Sequence, residues 1–518
     1  ALRGPPGRRD QIQRGQMMRL ITLMSMIVLA GTLVVPAQNG FIVHLDSAQG
    51  GKPGGGLSVF ETADGYLVFT QQISHDGSGK THIFVRKLDL QGQFMHEREY
   101  SFGDPRHINL GVTSPVCRLD TGGFASVVLE GSDFWAHSYL YRFNEDGDTT
   151  ERKFLFSFEP QDSVTHFLRQ TRQTSNGGYC AAGFYDLPEA KTKAFLVLLN
   201  SEGDTIWTRT YGQVNRSTSA YSCAEILSDG YLLVGVSYGL GVNDEQFLIR
   251  TDTMGNLLWW RQFGEDATGV FAVRMASDST IITAGEYRED NWPNYWQQAM
   301  FTKWDVQGDI VWQKRSHYNY LTGAYDMEVQ EDGSVIACIR VGPAITHIAK
   351  FSSLGDSLWS RGYTVFIDTH QPRDISLTSD GGFLSTGFVY QDHPGGHPGL
   401  QTAYVIKTDS LGCVVPGCHL VGVQEYEVSL QERLRLWPNP ATDHVRLELE
   451  LPPGYRPQGT VQAVLLDASG REVLREAVPR NGTALSHLLP LSPLAPGLYH
   501  LHLADEKRWL AGGNLLVE

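Results

Sequence analysis

The chain has no excess of basic residues: 42 Lys and Arg stand against 57 Asp and Glu, a formal net charge of -15 over 518 residues. That balance argues against a nucleic-acid binder and against a polybasic membrane contact. No Cys-x-x-Cys and no His pair at helical spacing occurs, so no metal site is expected. Phosphate-loop, dinucleotide and zinc-protease motifs are also missing, and no cofactor is expected. Enzymes assembled from distant repeats leave no such local trace, so this last absence excludes only sites carried by one segment.

Long apolar runs are scarce. One follows Met17: a basic start at Arg19, an apolar stretch to Val35, then Val35-Pro36-Ala37 with small residues where a signal peptidase reads. Residues 17–37 therefore read as a signal peptide, and the run is shorter than the ~20 residues of a spanning helix. No transmembrane anchor is expected in the mature chain. Residues 1–16 lack an initiator Met and read as a non-native or misannotated leader.

What is abundant is glycine, 55 residues, together with 11% aromatics, a composition that suits many short strands and turns. The glycines are periodic. Segments such as "LNSEGDTIWTRTYG" at Gly203, "TDTMGNLLWWRQFG" at Gly255, "WDVQGDIVWQKRSH" at Gly308 and "FSSLGDSLWSRGYT" at Gly355 recur about every fifty residues, within the range of propellers and solenoids. A second series interleaves with them, including "SNGGYCAAG" at Gly178, "SDGYLLVGV" at Gly230 and "SDGGFLSTG" at Gly382. Asp-Gly and Asn-Gly pairs supply the positive backbone angle of a tight hairpin, so each unit reads as four antiparallel strands. The expected fold is all-β: a β-propeller of about seven blades followed by a small Ig-like β-sandwich.

Trp259 and Trp260 are adjacent, and in a strand they point to opposite faces. A blade covered on both sides by its neighbours can house both. Trp207, Trp259, Trp312 and Trp359 all lie four residues after a turn glycine, while Asp89, Asn144, Asn200, Asp252, Asp305 and Asp409 lie three before one. Recurrence at one structural place points to packing and turn capping. The spacing is longer than in the Asp box of sialidase propellers. It is more similar to the Gly-then-Trp pattern of quinone-dependent dehydrogenase propellers, whose adjacent cysteines are missing here. The last unit breaks off at "CVVPGCHLVG", so Phe41–Leu45 is expected to complete the last blade and remove an open edge.

After Cys418 the rhythm stops. Trp437-Pro438-Asn439-Pro440-Ala441-Thr442-Asp443, the turn Asp467-Ala468-Ser469-Gly470, and Pro496-Gly497-Leu498-Tyr499 follow in order. These residues resemble the type A C-terminal sorting domain of type IX secretion cargo, with Pro438, Asn439, Pro440, Asp443, Gly470, Gly497 and Tyr499 as its motif positions. The resemblance implies export to the periplasm, recognition of this domain by the type IX secretion machinery as partner, and release or attachment at the cell surface. The expected organisation is propeller 38–418, linker 419–432 and sorting domain 433–518.

Cys413 and Cys418 flank Pro416-Gly417 and are expected to form a disulfide in an oxidising compartment. The other four cysteines fall in apolar strand runs and read as core residues. His393 and His397 fall in a Gly- and Pro-rich stretch that reads as a surface loop. The connections opposite the tight turns carry non-recurring aromatics: Trp135 with Phe134 and His137, then Trp292, Tyr295 and Trp296, and Tyr390. Loops on a rigid frame are common binding sites, and exposed aromatics suit sugar rings or protein partners. The expected function is a secreted or surface-displayed binding or adhesion module for glycan or protein, with Trp135, Trp292, Tyr295, Trp296 and Tyr390 as ligand-binding candidates. The alternative is an extracellular propeller enzyme, a glycan hydrolase or lyase, less readily a quinone-dependent dehydrogenase.

Overall fold

The computed structural model describes residues 40–518 apart from 46–53, 74–80, 102–106, 113, 133–134, 159–165, 188–190, 214, 227–228, 240–241, 266–268, 292–293, 317–321, 344, 365–368, 392–399, 422–424, 453–454 and 482–483. The expected leader and signal peptide lie outside the described residues, as do Phe134, Trp292, His393 and His397.

Seven antiparallel sheets follow one another around a ring. Blade 1 runs from the inner strand Gly55–Thr62 through Gly65–Ile73 and Thr81–Asp89 to the outer Phe94–Tyr100. The inner strands of blades 3 to 7 are His166–Gln173, Ser217–Glu225, Gly269–Met275, Thr322–Val329 and Thr369–Leu377. Blade 2 has an interrupted inner strand: His107–Asn109 and Cys117–Arg118 both pair with Phe124–Ser132. Blade 7 closes as the sequence implies, because Phe41–Leu45 pairs antiparallel with its third strand, Leu400–Thr408, in the register Val43 to Val405.

The recurring tryptophans are packing residues. The rings of Trp207, Trp259, Trp312 and Trp359 lie against Gly255, Gly308, Gly355 and Gly412, the turn glycines of the next blade. A Cβ on Gly255 would sit 2.9 Å from the Trp207 ring, and its φ of 76° is unfavourable for other residues. Arg209, Arg261 and Arg361 then cover the same rings, 5.5, 5.2 and 5.5 Å from their centroids. Trp259 joins the apolar cluster between blades 4 and 5, whereas Trp260 joins that between blades 3 and 4 and meets Phe247 at 5.2 Å. The acidic and amide residues before the glycines cap turns: the Asp252 carboxylate accepts the Met254 and Asn256 amides at 2.9 and 2.8 Å, and Asp409 does the same for Leu411 and Cys413.

The C-terminal region is a sandwich of two sheets. One holds Leu434–Trp437, His444–Glu450, Ala484–Pro490 and Arg480–Asn481; the other holds Arg508–Val517, Gly497–Ala504, Gln462–Asp467 and Glu472–Ala477. Leu447, Leu465, Leu501 and Leu515 fill the space between them. The motif residues hold this frame together. Asn439 donates to the Asn514 carbonyl at 2.8 Å and accepts the Leu516 amide at 3.0 Å; Tyr499 donates to the Ala495 carbonyl at 2.7 Å. Within the segment expected as a linker, Glu425–Glu427 forms a strand that pairs in parallel with Ser357–Thr364 of blade 6 and with Arg508–Val517. The sandwich sheet therefore continues blade 6, and Trp509 is fully buried in a cluster with Ile336, Tyr363 and Val414.

Candidate ligand-binding channel

The two tight hairpins of each blade put their turns at one end of the channel, and the remaining connections lie at the other, here called the loop end. Each inner strand must turn its side chains between the channel and two neighbouring blades, and it does so through a β-bulge. Register shifts fall at Leu57, Arg169, Tyr221, Phe271, Tyr325 and Arg373, one per blade except blade 2. A bulge adds an unpaired residue and re-aims its side chain. In blade 2 the corresponding place is the break between the two short inner strands, where Gly111 has a φ of 110° and a Cβ would come 2.6 Å from the Arg169 carbonyl oxygen.

Except at Ala272 of blade 5, the residue after the bulge ties one blade to the next. The Asp374 carboxylate accepts the Val59 amide at 2.8 Å, Gln170 accepts the Cys223 amide at 3.2 Å, Ser222 accepts the Val273 amide at 3.2 Å, and Asp326 accepts the Ile375 amide at 3.4 Å. Asp326 also receives Arg274 at 2.6 Å, which reaches Glu328 at 3.1 Å. Despite its burial, Arg274 is held charged by those two carboxylates. Burial, followed by the charge of Asp326, pushes the Asp374 carboxyl well above its ordinary range. These acids serve as staples between blades. Toward the turn end the channel opens into a cavity of about 430 Å³ lined by Phe60, Glu61, Arg118, Arg172, Glu328 and Ser376, among others.

The bulge residues themselves form a wall nearer the loop end. Phe271 meets Tyr221 edge-on at 5.1 Å and stacks on Tyr325 at 4.9 Å with an interplanar angle of 9°. Arginines flank this aromatic sector. Arg169 lies 4.1 Å from the Tyr221 centroid and 5.2 Å from Phe184; Arg373 lies 5.5 Å from Tyr325 and 5.1 Å from Phe388. Tyr325 is buried and donates to Glu286 at 3.0 Å, whereas Arg169, Tyr221, Phe271 and Arg373 are only partly buried. Burial lowers the pKa of both arginines, and the charge of Arg169 lowers that of Arg373 a little further.

Of the residues singled out in the sequence, Tyr390 belongs to this wall: its ring meets Phe388 edge-on at 5.1 Å, and Phe388 carries Arg373. Trp135, Tyr295 and Trp296 are on strands, not in loops. Trp135 opens Trp135–Phe143 and pairs with Ser132, while Tyr295 and Trp296 pair with Asp290 and Glu289 in one long hairpin, Ile281–Asn291 with Asn294–Trp304. Cys413 and Cys418 form the disulfide; Cys117, Cys180, Cys223 and Cys338 are buried thiols. Arg169, Tyr221, Phe271, Tyr325 and Arg373 escaped sequence reading. Their one signal is a large residue eight or nine positions before the glycine, or in blade 5 Ser279, of the following hairpin turn.

Seven sheets around a channel, closed by an N-terminal strand, define a β-propeller that carries a β-sandwich. Residues 435–511 match the family described as secretion system C-terminal sorting domain. The sandwich is thus a type IX sorting domain, and the protein is exported through that system to the cell surface or beyond. Among the described residues no helix is long and apolar enough to cross a membrane. No curated protein matches the chain. Solved structures with a similar arrangement include puromycin hydrolase (12% identity, 80% of this chain and 62% of that one, TM-score 0.43) and polysaccharide lyase Uly1 (8%, 68% and 90%, 0.42). The Pan2 WD40 domain of Neurospora crassa is a third (10%, 72% and 96%, 0.39). Likenesses this distant assign no activity.

Proposed function

We propose that the protein is an exported binding module whose loop-end channel mouth takes an extracellular glycan or protein. The observation that carries this reading is the bulge ring: partly buried Tyr221 and Phe271 between Arg169 and Arg373, on a frame locked by inter-blade hydrogen bonds. Aromatic faces and guanidinium groups held by a rigid scaffold recognise a ligand at low ordering cost. A glycan hydrolase needs two carboxyls free to exchange protons across the scissile bond. In this channel Asp326 and Asp374 instead accept backbone amides of the next blade, which supports binding over hydrolysis.

Tyr390, whose ring meets Phe388, extends the surface a ligand meets beyond the ring. The test is glycan-array and pull-down binding by the mature protein, by a Trp292→Ala, Trp296→Ala variant and by a Tyr221→Ala, Phe271→Ala variant, with folding checked by circular dichroism. Loss of binding in either pair supports the assignment. Equal binding by all three proteins, or no ligand for the intact one, refutes it.

A further inference from the structure

We infer that the channel mouth selects an acidic saccharide, a sugar ring bearing a carboxylate, with the ring against Tyr221 and Phe271 and the anion between Arg169 and Arg373. This deepens the binding-module reading and rests on it. The two arginines come from blades 3 and 7, and three aromatic bulge residues from blades 4 to 6 fill the arc between them.

Both guanidinium groups are held by ring faces, and no carboxylate among the described residues is paired with either. The Nε of each is buried without a hydrogen-bond partner among the described residues. Local neutral partners use one donor of each, from Arg373 to the Gln371 side chain at 3.1 Å and from Arg169 to the Tyr221 side chain. Most other arginines along the inner and outer strands have carboxylate or carbonyl partners, as Arg274 and Arg261 do. A cation held in a partly buried site without a counter-charge is favoured when an anion enters, and a planar guanidinium suits a carboxylate.

The aromatic arc distinguishes a sugar from a simple anion. Sugar C–H faces pack on aromatic rings while hydroxyls remain for polar neighbours, and Gln371 and the Tyr325–Glu286 pair lie beside the arc. A short acidic peptide would use the arginines but would have little need of an unbroken ring wall.

Isothermal titration of the mature protein with a tri-galacturonate, a sulfated neutral trisaccharide, an uncharged cello-oligosaccharide and a tri-glutamate peptide tests this. Expected are binding of the galacturonate, at least tenfold weaker binding of the others, and weakening as salt rises. Arg169→Gln, Arg373→Gln should lose tenfold or more, while Arg169→Lys, Arg373→Lys, with the same melting behaviour, should retain part of that affinity. Preference for the sulfated sugar, for the peptide or for the uncharged sugar overturns carboxylate-saccharide selectivity. An uncharged sugar whose binding is lost in Tyr221→Ala, Phe271→Ala would overturn the selectivity alone and leave the binding-module reading standing. Galacturonate binding unchanged in the Gln pair overturns the site.

Discussion

Removing the closing strand should damage the whole ring, because that strand is not local decoration. Ile42, Val43 and Leu45 are only 8%, 5% and 2% exposed, and they pack into two different clusters, one toward blade 6 and one toward blade 1. At about 1.5–3 kcal/mol for each fully buried aliphatic side chain, deleting Gly40 to Asp46 forfeits about 4.5–9 kcal/mol. That is an upper figure, since the unfolded chain already buries part of this surface. It is still comparable with the whole stability of about 5–15 kcal/mol typical of a folded protein. Phe41 adds a tilted contact with Tyr66 at 5.2 Å and covers Gly92 of blade 1. The deletion also leaves Leu400–Thr408 as an open edge, a template for association. Urea unfolding of the mature and deleted proteins, followed by tryptophan fluorescence, should show a much lower midpoint and aggregation. A synthetic peptide of residues 40–46 should recover part of the loss saturably, as a ligand of the native state does. An unchanged midpoint would refute the closure argument.

Glycine substitution separates contact from strain. Gly255→Ala should destabilise by more than Gly122→Ala in the same urea assay, because both have positive φ but only Gly255 would press a Cβ against Arg209 and Trp207; equal losses would contradict this. Thiol titration should find no reactive cysteine in the native protein, four in denaturant and six after reduction, since Cys117, Cys180, Cys223 and Cys338 are buried and Cys413 is bonded to Cys418; a native thiol reacting promptly would be contrary. Burial holds His166 at about 3, and His347 and His502 at about 4, so these rings stay neutral in the folded state while the unfolded chain protonates near 6.5. Their depressed values mean that stability is complete above about pH 6.5 and falls as pH drops toward 4, by up to about 3 kcal/mol for each ring. A flat urea midpoint from pH 7 to 4.5 would contradict that sign. Truncation after residue 424 should trap the protein in the periplasm and lower propeller stability, because it removes Trp509 from the blade 6 and 7 cluster; normal export or unchanged melting would refute the respective half.

The scaffold was legible because its residues recur. Trp207, Trp259, Trp312 and Trp359 occupy one place relative to a turn glycine, and each meets the next blade's glycine, so periodicity in sequence becomes periodicity in packing. The closing strand was legible from an incomplete last unit. The channel wall was hidden for the opposite reason. Arg169, Tyr221, Phe271, Tyr325 and Arg373 share a place but not a residue type, and a bulge breaks the two-residue alternation that marks which face a side chain takes. Of the non-recurring aromatics in the connections, Tyr390 lies against Phe388, which carries Arg373. The rank of those connections as loops was wrong for Trp135, Tyr295 and Trp296, whose strands pair out to their ends.

The most direct test of the account is a crystal structure of the mature protein grown with di-galacturonate. The account predicts one ordered sugar ring at the loop-end mouth, packed on Tyr221 and Phe271, with its carboxylate between Arg169 and Arg373. A saturating ligand bound elsewhere on the propeller, with the mouth empty, would contradict it.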